Sequence, residues 1–189
     1  MNISNNTDIP SLDEIEKEYF REKGIPGVVF LCILICVGTI GNIHILLVYK
    51  VSQQMKKRAE RVFILWLSAI DLIACVACMP FEIVDIWFTY TFSSSEACTF
   101  FRFLSHDVSL SSNAFLAAIA IQRYRMMNIP GHTARPNISL NKISLIIFGI
   151  CTAISVPTLF FYGVDRKRTN FVELIGTDCV ALSKYQSMA

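Results

Sequence analysis

The stretch IPGVVFLCILICVGTIGNIHILLVY, Ile25 to Tyr49, runs for 25 residues without an Asp, Glu, Lys or Arg. A helix rises 1.5 Å per residue, so this segment exceeds the ~30 Å hydrocarbon core of a bilayer. A second charge-free run, Ile143 to Tyr162, lasts 20 residues. Between them lie two apolar segments that carry charges, about 62–87 and 99–121. The chain therefore reads as an all-α membrane protein with four spans, about 25–49, 62–87, 99–121 and 143–162. Composition agrees: 53% of residues are hydrophobic and only 17% charged, against roughly 25% charged in soluble domains. A soluble globular domain and a disordered chain are both excluded. The net charge of +2 is too small to argue for nucleic acid.

Charge placement orients the spans. Residues 1–24 lack the apolar core of a signal peptide and carry Asp8, Asp13, Glu14, Glu16, Glu18 and Glu22, so the first span acts as its own insertion signal. Lys50, Lys56, Lys57, Arg58 and Arg61 follow that span, and residues 123–142 hold four more cations and no acid. The positive-inside rule puts both basic loops in the cytoplasm. The segment 1–24 is then extracellular, and 163–189 returns outside. Asn2-Ile3-Ser4 and Asn5-Asn6-Thr7 are glycosylation acceptors on that outer side. Asn137-Ile138-Ser139 falls inside and is expected to stay unmodified. Of seven cysteines, Cys32, Cys36, Cys75, Cys78 and Cys151 lie within spans. Cys98 and Cys179 remain on the oxidising side, the number one disulfide needs.

Polar groups at membrane depth are costly and mark candidate sites. Asp71 lies ~14 Å into the second span, and Ser112 ~16 Å above Arg123 on the third. Asn42 sits seven residues above Tyr49. A carboxylate, a hydroxyl and an amide at matched depth suit a small hard cation or water. They equally suit a polar knot that only ties helices together. Near the outer end, Glu82 and Asp85 share a helix face. Arg102 stands at similar height. Ser105, Ser109 and Ser112 form a stripe at i, i+4 and i+7, with His106 beside it. These residues line a candidate water-filled pocket, or pack helix on helix. Asp107 points away from the stripe and has no evident role. Hydrolase, zinc-protease and phosphate-loop signatures do not occur, so an enzyme is not expected.

Several landmarks in order resemble a rhodopsin-like G-protein-coupled receptor. They are Gly41-Asn42, Leu67-Ser68-Ala69-Ile70-Asp71, Cys98 at the top of the third helix, Gln122-Arg123-Tyr124 at its foot, Pro130 seven residues on, and Cys179. Their separations are 29 from Asn42 to Asp71, 27 to Cys98 and 25 to Arg123. The resemblance implies four spans of an expected seven, in the plasma membrane. It implies an extracellular ligand, a heterotrimeric G protein as partner, and possible association with other receptor protomers. No organic cofactor is implied. Asp71 and Ser112, with Asn42, match the family's sodium site. Arg123, flanked by Gln122 and Tyr124, is implied to be the G-protein-facing switch.

The departures also carry information. Gln122 replaces the acid that pairs with the switch arginine, so a looser resting state is expected. The fourth-helix tryptophan is missing, with Phe148, nine residues before Pro157, as its expected substitute. Tyr90-Thr91-Phe92 stands where Trp-x-Phe is usual. Ser105 stands where amine receptors carry Asp, which favours a peptide ligand, with Glu82 and Asp85 suited to its cationic group. Helices five to seven are not in the chain, so a fragment of a working receptor is the leading expectation. The alternatives are a truncated isoform that traps full-length receptors, or a four-span channel or transporter subunit. For a truly truncated chain, retention in the endoplasmic reticulum is expected.

Overall fold

The computed structural model describes residues 11–52, 60–128, 139–168 and 174–182. The first helix begins far above the apolar run. Ser11 and Glu14 form a reciprocal capping box that starts α1, Leu12–Tyr19. One π-helical turn, Phe20–Gly24, joins it to α2, Ile25–Val51, which carries Pro in its first turn. The whole run Leu12–Val51 is 40 residues, about 60 Å and twice the hydrocarbon thickness. α1 therefore stands clear of the membrane as an extension of the first span.

The second span is α3, Arg61–Ile73, a π turn at Ala74–Cys78, and α4, Met79–Trp87. Pro80 explains the interruption. It has no N–H for the preceding turn and its ring clashes there, so the helix absorbs one extra residue before it. The third span is α5, Ser95–Asn128, at 34 residues the longest single helix described. The fourth is α6, Leu140–Ser155, continued past Pro157 by the short α7, Thr158–Phe161. Among the described residues, three helices are both long and apolar enough to cross a membrane: Leu12–Val51, Arg61–Trp87 and Leu140–Phe161. α5 has the length, but Arg102 and Asp107 interrupt its apolar character.

The second, third and fourth spans pack around an aromatic seam. Phe115 on α5 is fully buried and lies against Trp66 on α3, with centroids 6.0 Å apart and planes nearly parallel. Trp66 also meets Phe148 on α6 at 6.0 Å. The tryptophan of this seam thus comes from the second helix, and Phe148 packs against it. Ser68, Ser111 and Ser144 are almost wholly buried where α3, α5 and α6 cross. Small residues there let backbones approach closely, as membrane helices require. By contrast α2 has no buried residue, and Phe30, Val37 and Ile40 are exposed. That surface is apolar because its solvent is lipid.

One element departs from an all-helical expectation. The segment after the fourth span forms a hairpin of β1, Tyr162–Arg168, and β2, Ile175–Ala181, antiparallel with Val164 opposite Cys179. The loop after α4 adds to its edge through a bridge between Thr91 and Thr177. Thr177 N–H donates to the Tyr90 carbonyl at 2.8 Å, and Phe92 N–H donates to the Thr177 carbonyl at 3.1 Å. Charges in β1 hide its alternation, which is why the sequence reads there as loop. The close approach depends on Gly176, where a Cβ would lie 2.5 Å from the Tyr90 carbonyl oxygen. Gly176→Ala should cost about 1–3 kcal/mol through forced backbone displacement. A fall of roughly 3–10 °C in the unfolding midpoint of the purified chain checks this; no fall would mean the bridge is slack.

Candidate functional site

The C-terminal end of α4 and the N-terminal end of α5 build a charged cluster. Glu82 and Asp85 lie three apart on α4, hence on one face. Arg102, two turns into α5, reaches both. Its Nη1 donates to Glu82 Oε1 at 2.9 Å and its Nη2 to Asp85 Oδ2 at 2.5 Å. A third contact comes from the hairpin, where Nη2 lies 3.4 Å from the Cys179 carbonyl. The side chains are 21% exposed for Arg102 and 13% for Asp85, so a partly desolvated guanidinium sits between two carboxylates. The local charge is one negative in excess. Asp85 Oδ1 and Arg102 Nε are buried and have no hydrogen-bond partner among the described residues. The cluster therefore has capacity left for a further polar group.

The Cys98–Cys179 disulfide closes the top of this site, with S–S 2.01 Å. Both sulfurs are buried with Phe81 and Phe92 beside them. The bond anchors the hairpin over α5 and fixes the carbonyl that Arg102 touches.

Ser105 Oγ is buried below Arg102 without a partner among the described residues. His106 and Ser109 do not join this cluster. One residue along a helix turns the side chain by about 100°, and His106 faces α6 and β1 instead. Its Nε2 lies 3.4 Å from the Tyr162 hydroxyl. Together with Ser109, Asn113, Ser155 and Thr158 it lines a separate cavity of about 330 Å³.

Deeper in the bundle, Ser112 Oγ donates to Asp71 Oδ1 at 2.7 Å. Asn42 is elsewhere engaged: its amide donates to the Gly38 carbonyl of its own helix at 2.9 Å. Among the described residues no three His, Cys, Asp or Glu converge as a metal site. Asp71 and Ser112 supply hard oxygen donors, the type a sodium ion takes.

At the other end of α5, Arg123 and Tyr124 are exposed, with Gln122 half-buried. Arg123 makes no ion pair among the described residues. Pro130, Asn2, Asn5 and Asn137 lie outside the described residues.

Two contacts were not foreseen. Asp107 is buried between α5 and α6, where its Oδ2 accepts from Thr152 Oγ1 at 3.4 Å. Glu16 on α1 is buried against the loop after α4, accepting from Tyr90 N–H at 3.0 Å and from Thr91 Oγ1 at 2.8 Å. The spacing Leu12, Ile15, Tyr19 behind a Ser-x-x-Glu cap was a legible sign of that helix; its docking site was not.

The order of these features along the chain is matched by a family model. The model for 7 transmembrane receptor (rhodopsin family) covers residues 41–186. The chain belongs to this family. Among curated relatives, Galanin receptor 2a of Danio rerio is 30% identical over 75% of the chain and 39% of its own length. Neuropeptide Y receptor type 6 of Mus musculus is 25% identical over 79% of the chain and 42% of its own length. Olfactory receptor 51E1 of Homo sapiens is 28% identical over 61% of the chain and 38% of its own length. The chain thus spans about two-fifths of these relatives, which are receptors by name. It is a multi-pass membrane protein of the rhodopsin family, carrying the first four helices of the fold, and it resembles the family's peptide receptors.

Proposed function

We propose that the chain supplies the ligand-entry side of a plasma-membrane receptor for a cationic peptide, with α1 and the hairpin outside the cell. The observation that carries this is the Glu82–Arg102–Asp85 cluster. Two carboxylates share one guanidinium, and two of its buried polar atoms are unmatched. A ligand ammonium or guanidinium group gains from the excess negative charge and from Asp85 Oδ1. The resemblance to galanin and neuropeptide Y receptors supports a peptide over an odorant. An aminergic ligand is disfavoured in this reading, since Ser105 provides no charge below the cluster.

In this reading Arg123 faces a heterotrimeric G protein, and ligand binding outside biases a helix rearrangement read at that end. Gln122 offers Arg123 no carboxylate, so the resting state is held less tightly than in relatives with an acid there. Asp71 and Ser112 are the residues to hold a sodium ion, which would supply a compensating charge beside the buried carboxylate. Their direct hydrogen bond already holds α3 to α5 at that depth.

In the full-length receptor, Glu82→Gln with Asp85→Asn should raise the agonist concentration for half-maximal response by about tenfold or more, the loss of one charge-assisted contact. Surface expression measured alongside separates binding from folding. Unchanged potency at equal expression would sink the proposal.

A further inference from the structure

Two adjoining cavities wrap the outer end of α4, sharing Phe88 and Thr91 as a common wall. One, of about 620 Å³, opens between α1 and α4, with Ile25 and Trp87 low on its sides and Lys17 and Arg21 above them. The other, of about 660 Å³, runs between α4 and α5 past Val76 and Phe101 and is apolar except for Thr91, Ser93 and Ser94 at its loop end. We propose that this paired cleft holds one glycerophospholipid of the adjacent leaflet. Its phosphate lies at Arg21 and Lys17, and one acyl chain passes Phe88 into the apolar arm.

The depths fit. Ile25 starts the apolar run and marks the hydrocarbon boundary. Arg21 lies four residues above, about 6 Å, and the headgroup layer is roughly 5–7 Å thick on each side. Its guanidinium is thus level with the phosphates, where a bidentate contact forms. Lys17 is one turn higher, within reach of the same phosphate along its flexible stem. Asp13 borders the same cavity but stands a further turn up, above the phosphate layer. The carboxylate of Glu16 is already occupied by Tyr90 and Thr91. Trp87, half exposed at 51%, sits at the end of its span, where indole rings occupy the membrane interface.

Two features keep the cleft open. Glu16 pins α1 to the loop after α4. Gly24, where a Cβ would lie 2.7 Å from the Phe20 ring, allows the π turn that offsets α1 from α2. The apolar arm is continuous with bare hydrocarbon-facing surface, since Val76 is 69% exposed. Its hydroxyl groups, Thr91, Ser93 and Ser94, are confined to the loop end, and the side chains lining it along the second and third spans are all apolar. The inference is independent of the receptor's ligand and G protein.

The chain has two tryptophans, so Trp87 can be isolated by difference against Trp87→Phe. The purified 189-residue chain in detergent is titrated with phosphatidylcholine brominated near the top of its acyl chains. Saturable quenching of the Trp87 signal is expected. Arg21→Gln with Lys17→Gln, both at exposed positions, should raise the half-quenching concentration about tenfold. Brominated diacylglycerol, lacking phosphate, should be about tenfold weaker on the wild type. Inorganic phosphate should not displace the lipid. Non-saturating quenching, equal quenching in the double variant, or equal potency of diacylglycerol would overturn the proposal. So would saturable quenching that appears only after residues 1–10 are deleted, because the chain's own N-terminus would then be the occupant.

Discussion

Cys98→Ala, or Cys179→Ala, should destabilise the chain by about 3–4.5 kcal/mol. The bond closes a loop with a sequence separation of 81, for which the chain-entropy relation gives ~4.5 kcal/mol. Spanning helices persist in the bilayer when their packing is lost, so the effective loop is shorter and the lower end is expected. The loss is concentrated outside the membrane, because the bond anchors β2 to α5 and β2 carries the Thr91–Thr177 bridge. Unfolding of the purified chain followed with and without reductant checks both size and location. The wild type under reduction should match either cysteine variant, and amide exchange should rise first in Tyr162–Arg168 and Ile175–Ala181. A loss below about 1 kcal/mol would show that the hairpin is held by its hydrogen bonds alone.

Arg102→Ala should cost about 2–4 kcal/mol. It leaves Glu82 and Asp85, 32% and 13% exposed, without the guanidinium between them, and an uncompensated buried charge is more costly than an absent pair. Arg102→Lys should recover only part, since an ammonium cannot hold two carboxylates in the forked geometry seen here. Adding Glu82→Gln and Asp85→Asn to Arg102→Ala should restore most of the lost stability. That rescue separates charge imbalance from lost packing. Thermal unfolding of the four chains measures it. If the triple variant were no more stable than Arg102→Ala, the cluster would be a packing feature and not an electrostatic one.

The spans were legible to different degrees for physical reasons. The first and fourth announce themselves because each is an unbroken charge-free run long enough to cross the hydrocarbon core. The third hides Arg102 and Asp107 among apolar residues; Arg102 is half-buried on the acids of α4 and Asp107 is buried against α6, and only the helix length and the landmark spacings reveal the span. The partnership of Asp71 with Ser112 followed from matched depth. Asn42 had matched depth too, but its amide satisfies itself on the Gly38 carbonyl one turn back, an outcome depth cannot distinguish. The Glu82–Asp85 face and the level of Arg102 were readable from spacing. The Cys179 carbonyl that Arg102 touches was not, because it comes from a hairpin 77 residues away in sequence. Glu16 shows the limit most clearly. Its partners are a backbone N–H and a hydroxyl 74 and 75 residues distant, and nothing in the acidic run around it separates a docked carboxylate from solvated ones.

The most direct measurement is a charge cycle at the outer cluster of the full-length receptor. A basic peptide agonist and its analogue with Lys and Arg replaced by norleucine and citrulline are compared on the wild type and on Glu82→Gln with Asp85→Asn. If the cluster receives the peptide's cation, neutralising the peptide lowers potency about tenfold or more on the wild type and little on the variant. Equal losses on both receptors would place the cation elsewhere and remove the cluster from ligand recognition.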